Sequence, residues 1–381
     1  MQYDFDTLLD RRGTWSLKWD KYRGRDVVPM WVADMDFRSP PEVLRALHDR
    51  VDHGVFGYIE PGPELVETII ARLARSYGWS PDPSWFVWLP GLVSGLNIVC
   101  RAVGDPGDDV LTGTPIYPPF LSAPVNASRG VVRAPLVQDA TGWHFPREAL
   151  ADAATARTRL FLLCNPHNPV GRAYTRDELS ALADECLRRD IVMCSDEIHC
   201  GLILDEDKRH VPLASLDPEV ARRTITLMAA SKTFNLPGLG AAFAIIPDAA
   251  LRRRVTSVMK GIVHRPMTIG LWATLAAYRD GEPWREALVA YLRANRDLLQ
   301  TRVASWPGFS MTHVEATYLA WIDIRSSGID HPVQTFEAAG VGLYDGADFG
   351  TPGWLRLNFA CPRSQLTEAL ARMETVIGAR R

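Results

Sequence analysis

The sequence predicts an α/β fold: a large unit with a mostly parallel central sheet flanked by helices, and a smaller α+β unit. Three observations carry that expectation. Between residues 159 and 246 short, near-continuous apolar runs alternate with amphipathic stretches. Polar residues of unusual type follow three of those runs. Beyond residue 265 the texture changes to longer helical stretches.

The first run, "RLFLLC" (159–164), reads as a buried strand, and "NPHNPVG" after it reads as a loop. A helix is expected next. Thr175 and Glu178 have capping-box spacing, and Leu179, Leu182 and Leu187 keep a helical stripe. "IVMCSDEI", "TITLMA" and "AAFAII" read as further strands. Apolar strands alternating with helices indicate a sheet covered on both faces. The later part holds the helical "EPWREALVAYLRANRDLLQTRV", the strands "YLAWIDI" and "WLRLNFAC", and a last helix from Ser364. The expected division is a large domain over 46–264 and a small one from 1–45 with 265–381. The N-terminal segment would pack on the small domain and the cleft.

Composition excludes several classes of function. The 381 residues are 47% hydrophobic with a net charge of −3, which favours neither nucleic acid nor an anionic membrane. No apolar run approaches the roughly 20 residues of a membrane span. "MQYDFDTLLD" lacks a charged-then-apolar leader pattern, and a cytoplasmic setting is expected. The six cysteines form no C-x-x-C pair and read as reduced, packed thiols. "CSDEIHC" offers Cys194, Asp196, His199 and Cys200 as metal ligands, but no second half of a zinc site follows, so no metal is expected.

In open α/β sheets ligands collect at the carboxyl ends of strands. Here those ends carry Asn168, Asp196 and the pair Ser231-Lys232. Singly, each has a plainer reading: a turn amide, a cap, a solvated charge. Together they match what pyridoxal phosphate requires. Its aldehyde needs a lysine amine, its ring nitrogen a carboxylate, its phenolate oxygen a donor. Its phosphate suits backbone N–H groups at a helix N-terminus, which "GLVSGLNIVCRAV" offers at Val93, Ser94 and Gly95. Tyr117, in the stiff loop "TPIYPPF", suits stacking on the ring, though a core role is the plainer reading. Ala229 and Ala230 read as room for the cofactor. The rival nicotinamide reading fails, because Gly238-x-Gly240 lacks a third glycine and runs into a strand.

The order of these motifs resembles that of the fold-type I pyridoxal-phosphate enzymes, the aspartate aminotransferase superfamily. Within it the chain is similar to the cystathionine β-lyase (C–S lyase) branch, the MalY/PatB-like proteins. "PMWVADMDF", "HGVFGY", "PIYPPF", "LCNPHNPVGR", "SDEIHCGLIL", "SKTFNLPGL" and "RLNFACPRS" carry that likeness nearly end to end. The resemblance implies that Lys232 carries the cofactor and shuttles protons, that Asp196 pairs with the ring nitrogen, and that Asn168 and His199 lie by the phenolate oxygen. It implies that Tyr117 stacks and that Arg356 clamps the substrate α-carboxylate. Tyr58 would reach the neighbouring subunit's phosphate, so a homodimer with shared sites is implied. Two positions depart from common patterns: Ala229 stands where many relatives have a phosphate-binding serine, and Gly240 where aminotransferases often have arginine. Phosphate binding then falls to Val93, Ser94, Ser231 and Tyr58.

The implied activity is β-elimination of an S-substituted cysteine, whether cystathionine-like or a secondary-metabolite conjugate, to thiol, pyruvate and ammonia. Transamination, diverted carbanion chemistry and a non-catalytic regulatory role on the same scaffold stay open. Trp31, Tyr58 and Tyr344 are the expected wall for the thiol side.

Overall fold

The computed structural model describes residues 3–139 and 142–378. Among them a seven-stranded sheet runs in the order Phe86–Leu89, Ala242–Ile245, Thr224–Met228, Val192–Asp196, Thr158–Cys164, Asp109–Thr114, Gly130–Pro135. Only Ala242–Ile245 is antiparallel to its neighbours. The apolar run that reads as one more strand of the same kind therefore turns the sheet's direction once. An apolar strand buried on both faces looks the same in either direction, so pattern alone does not reveal this.

The central strands are buried along their whole length, with alternate residues serving opposite faces. Leu160, Leu162 and Cys164 join the apolar cluster under the helix Leu92–Ala102. Phe161 and Leu163 join the cluster that takes Leu179 and Leu182 from the helix Arg176–Arg188. That helix starts on the expected capping box: Thr175 Oγ1 accepts from the Glu178 N–H at 3.2 Å, and Glu178 Oε2 accepts from the Thr175 N–H at 2.7 Å.

A second, four-stranded antiparallel sheet runs Ser310–Met311, Leu319–Asp323, Trp354–Asn358, Tyr344–Asp345. The helices Glu282–Ala304 and Arg363–Gly378 contribute Leu288, Leu292, Leu366 and Leu370 to its core. The N-terminal segment crosses between the two sheets. Val28–Pro29 pairs in parallel with Val341–Gly342, and the chain then runs on as residues 30–37.

A buried polar knot anchors that segment. Asp36 accepts from Lys18 Nζ at 2.8 Å, Arg11 Nη1 at 2.6 Å, Trp19 Nε1 at 2.9 Å and Gln365 Nε2 at 2.9 Å. Lys18 and Asp36 are both fully buried, and without Asp36 the buried ammonium keeps only the more distant Asp34 carboxylate, at 3.6 Å. Asp36→Ala is expected to cost about 3 kcal/mol in denaturant unfolding; an unchanged midpoint and slope would contradict the anchoring role.

Candidate active site

Strand register brings the predicted residues together. Cys164, Asp196 and Leu227 are successive Cα partners across three parallel strands, so those strands end level with one another. The chain beyond each end supplies Asn168, His199, and Ser231 with Lys232. From the other sheet comes Arg356, paired across the ladder with Trp321 and Tyr344. All of them border one cavity of about 400 Å³. Its wall also holds Tyr117, Trp31, Tyr344, Cys164 and residues Gly91 to Ser94.

Lys232 Nζ donates to the Ala33 carbonyl at 2.5 Å. Burial, and next the Arg356 charge, lower its pKa to about 8. The amine is thus a usable base and nucleophile near neutral pH, which a solvated lysine is not. Asp196 shows the opposite effect of the same burial, its pKa pushed up to about 7, although the Ile198 N–H donates to Oδ1 at 3.1 Å. A carboxylate this poorly solvated gains from a cationic partner. His199 is held neutral, burial lowering its pKa to about 3, and its buried Nδ1 has no partner among the described residues.

Arg356 is fully buried and its pKa is lowered to about 10, by burial first. Its Nη1 donates to Asn168 Oδ1 at 3.1 Å and its Nη2 to the Trp31 carbonyl at 2.8 Å. The guanidinium lies over Tyr344 and Phe349, 4.9 and 4.8 Å from the ring centroids. Nε has no partner, and no carboxylate pairs with the group among the described residues. A buried cation with an unused donor and no counter-charge fits an anionic ligand such as an α-carboxylate. Because Asn168 turns its carbonyl to Arg356, its NH2 is left to donate elsewhere.

Gly91 is the N-cap of the helix Leu92–Ala102, whose first turn borders the cavity. Val93, Ser94 and Ser231 border the cavity. The Gly95 N–H differs from expectation, for it is spent on the Gly91 carbonyl at 3.1 Å. Ala229 and Ala230 also differ: both are buried in apolar clusters, so they pack beneath the site rather than make room in it. Tyr58 is fully exposed and lies outside the cavity wall of its own chain. Cys194, Asp196, His199 and Cys200 do not converge, and no group of three or more metal-ligating side chains occurs among the described residues. Four contributors escaped sequence reasoning: Val32 and Ala33, through backbone carbonyls, and Tyr318 and Asn358, which hold them. A larger cavity, about 580 Å³, lies by Tyr77, His210 and Arg293, but its arginines 72, 285 and 293 are already paired with Glu282 and Glu206.

An amine, a carboxylate, an amide and a neutral imidazole at level strand ends, on this mixed sheet, define a fold-type I pyridoxal-phosphate enzyme. The chain belongs to the class I and II aminotransferase family, whose profile matches residues 25–373. It is 34% identical to the cystathionine β-lyase PatB of Bacillus subtilis, over 98% of this chain and 100% of PatB. The crystal structure of OvoB is similar at 44% identity and a TM-score of 0.96, covering 98% of this chain and 99% of that one. Cystalysin of Treponema denticola, whose structure contains pyridoxal 5'-phosphate, matches at 31% identity and a TM-score of 0.96 over the whole of both chains.

In cofactor-free protein, reductive methylation of Lys232, followed by peptide mass spectrometry, is expected to rise with a midpoint near pH 8. The neutral amine reacts, so the rate climbs as pH passes upward through the folded pKa. A midpoint at the ordinary 10.5 would contradict the buried setting of the amine.

Proposed function

We propose that this chain is a pyridoxal-phosphate-dependent carbon–sulfur lyase. It would convert an S-substituted cysteine, cystathionine or a related conjugate, to a thiol, pyruvate and ammonia. The observation that carries this reading is a low-pKa amine and an unpaired buried guanidinium facing one cavity. Full-length similarity to a cystathionine β-lyase supports the elimination outcome.

Pyridoxal phosphate, when bound, supplies a conjugated cationic ring that stores the electron pair left by a lost Cα proton. Lys232 would hold it covalently, Asp196 would keep the proton on its ring nitrogen, and Asn168 and His199 would flank its phenolate oxygen. Tyr117 would cover a ring face, and Val93, Ser94 and Ser231 would take the phosphate. Arg356 holds the substrate carboxylate and so fixes which Cα bond faces Lys232. Once the substrate's amino group has displaced Lys232 from the cofactor, the freed Nζ would take the Cα proton. The Cβ–S bond then breaks with its electron pair leaving on sulfur, and water completes the route to pyruvate and ammonia. With no leaving group at Cβ the same residues would serve transamination, so the products separate the two outcomes.

The working form is proposed to be a homodimer with shared sites, in the cytoplasm. Val55, Phe56, Tyr58, Val93, Ile262 and Met267 are exposed apolar or aromatic side chains of the kind a subunit contact would bury. Tyr58 of a second copy would complete the phosphate site. All six cysteines are free, as suits a reducing compartment. Among the described residues no helix is long and apolar enough to cross a membrane.

The holoprotein is expected to absorb near ~420 nm, and Lys232→Ala to lose that band. Cystathionine or an S-alkyl cysteine should yield thiol and pyruvate in equal amounts; keto-acid exchange without thiol release would sink the lyase reading. Shared sites have a separate test. Mixing inactive Lys232→Ala with the weakened Tyr58→Ala variant should restore activity, since each hybrid dimer holds one intact site. No restoration after verified subunit exchange would exclude sharing.

A further inference from the structure

Segment 30–37 is held by both sheets at once. From the four-stranded sheet, Asn358 Nδ2 donates to the Val32 and Asp34 carbonyls at 2.5 and 2.6 Å, and Arg356 Nη2 donates to the Trp31 carbonyl at 2.8 Å. Arg356 and Asn358 share one strand two residues apart, and so share a face. From the large sheet, Lys232 reaches the Ala33 carbonyl. Three residues further on, Asn235 makes a denser contact. Its Oδ1 accepts from the Met35 N–H at 3.0 Å, and its Nδ2 donates to the Met35 and Phe37 carbonyls at 3.1 and 2.9 Å. Asn235 adopts the left-handed conformation, φ 56°, which asparagine tolerates better than most residues. Ser39 Oγ adds a bond to its carbonyl at 3.0 Å.

We propose that Asn235 is a positioning residue for substrate binding, acting through segment 30–37 to fix the plane of Arg356 relative to Lys232. This rests on the assignment of Arg356 as the carboxylate site. The guanidinium spends one hydrogen bond on Asn168 and one on Trp31, and the unpartnered Nε stays on offer. The Trp31 carbonyl is one of two anchors that set that plane, and its own position depends on where the segment is pinned. Asn235 pins it from the loop that carries Lys232. Carboxylate clamp and amine are thereby kept in register across two sheets that share no strand.

Asn235→Gly removes the side chain while keeping the left-handed backbone accessible. In the holoprotein it is expected to raise KM for the amino-acid substrate roughly three- to tenfold, with the effect on KM rather than kcat. The ~420 nm band should persist, and hydrogen exchange should quicken at the amides of residues 32–36. Asn235→Asp keeps the acceptor for the Met35 N–H but sets a second oxygen against the Met35 and Phe37 carbonyls, so it should raise KM at least as much as the glycine variant. Unchanged KM and exchange would overturn the proposal. So would a loss of band, kcat and thermal stability in parallel, which marks a residue needed only for folding. If the parent protein releases no thiol, the lyase reading fails by itself. The affinity of the holoprotein for L-alanine, read spectrally, then tests Asn235 in the same way.

Discussion

Two cations without ion-pair partners among the described residues, Lys232 and Arg356, border one cavity, and much of the structure serves to keep them there. Each is expensive to place in a poorly solvated site. The protein meets that cost with backbone and side-chain carbonyls rather than carboxylates: Ala33 for Lys232, Trp31 and Asn168 for Arg356. A carboxylate on either would satisfy the charge permanently and close the site to an anionic ligand. Neutral acceptors leave the electrostatic demand unmet until a ligand arrives.

The same burial sets every titration in the site, in directions that fit the proposed roles. It lowers Lys232 and His199 and raises Asp196, because each charged form loses water. The amine becomes a base near neutrality, the imidazole stays uncharged, and the carboxylate is primed to favour a protonated ring nitrogen beside it. One apolar enclosure thus yields a base, a neutral donor or acceptor, and a proton-holding acid without separate tuning of each.

The strand ends were legible in the sequence because their chemistry is local. Asn168, Asp196 and Lys232 each follow an apolar run, and parallel register then makes them neighbours. Arg356 was found through its motif, since a strand residue on another sheet gives no local sign of where it faces. Trp31 and Tyr344 border the cavity as expected, with their rings edge to face at 6.0 Å. The work of Val32 and Ala33 was hidden because it is done by carbonyl groups, which every residue has. Asn235 and Asn358 read as ordinary polar residues until their partners, some 200 and 326 positions away, are known. The small residues Ala229 and Ala230 give an ambiguous sign for a related reason. Smallness beside a reactive lysine looks like space, but here it permits close packing beneath the loop.

The most direct measurement of the account is the site of covalent attachment. Holoprotein is reduced with borohydride, digested and mapped by mass spectrometry. The account predicts pyridoxyl phosphate on the peptide carrying Lys232 and on no other. A label on a different lysine, or none after saturation with cofactor, would contradict it.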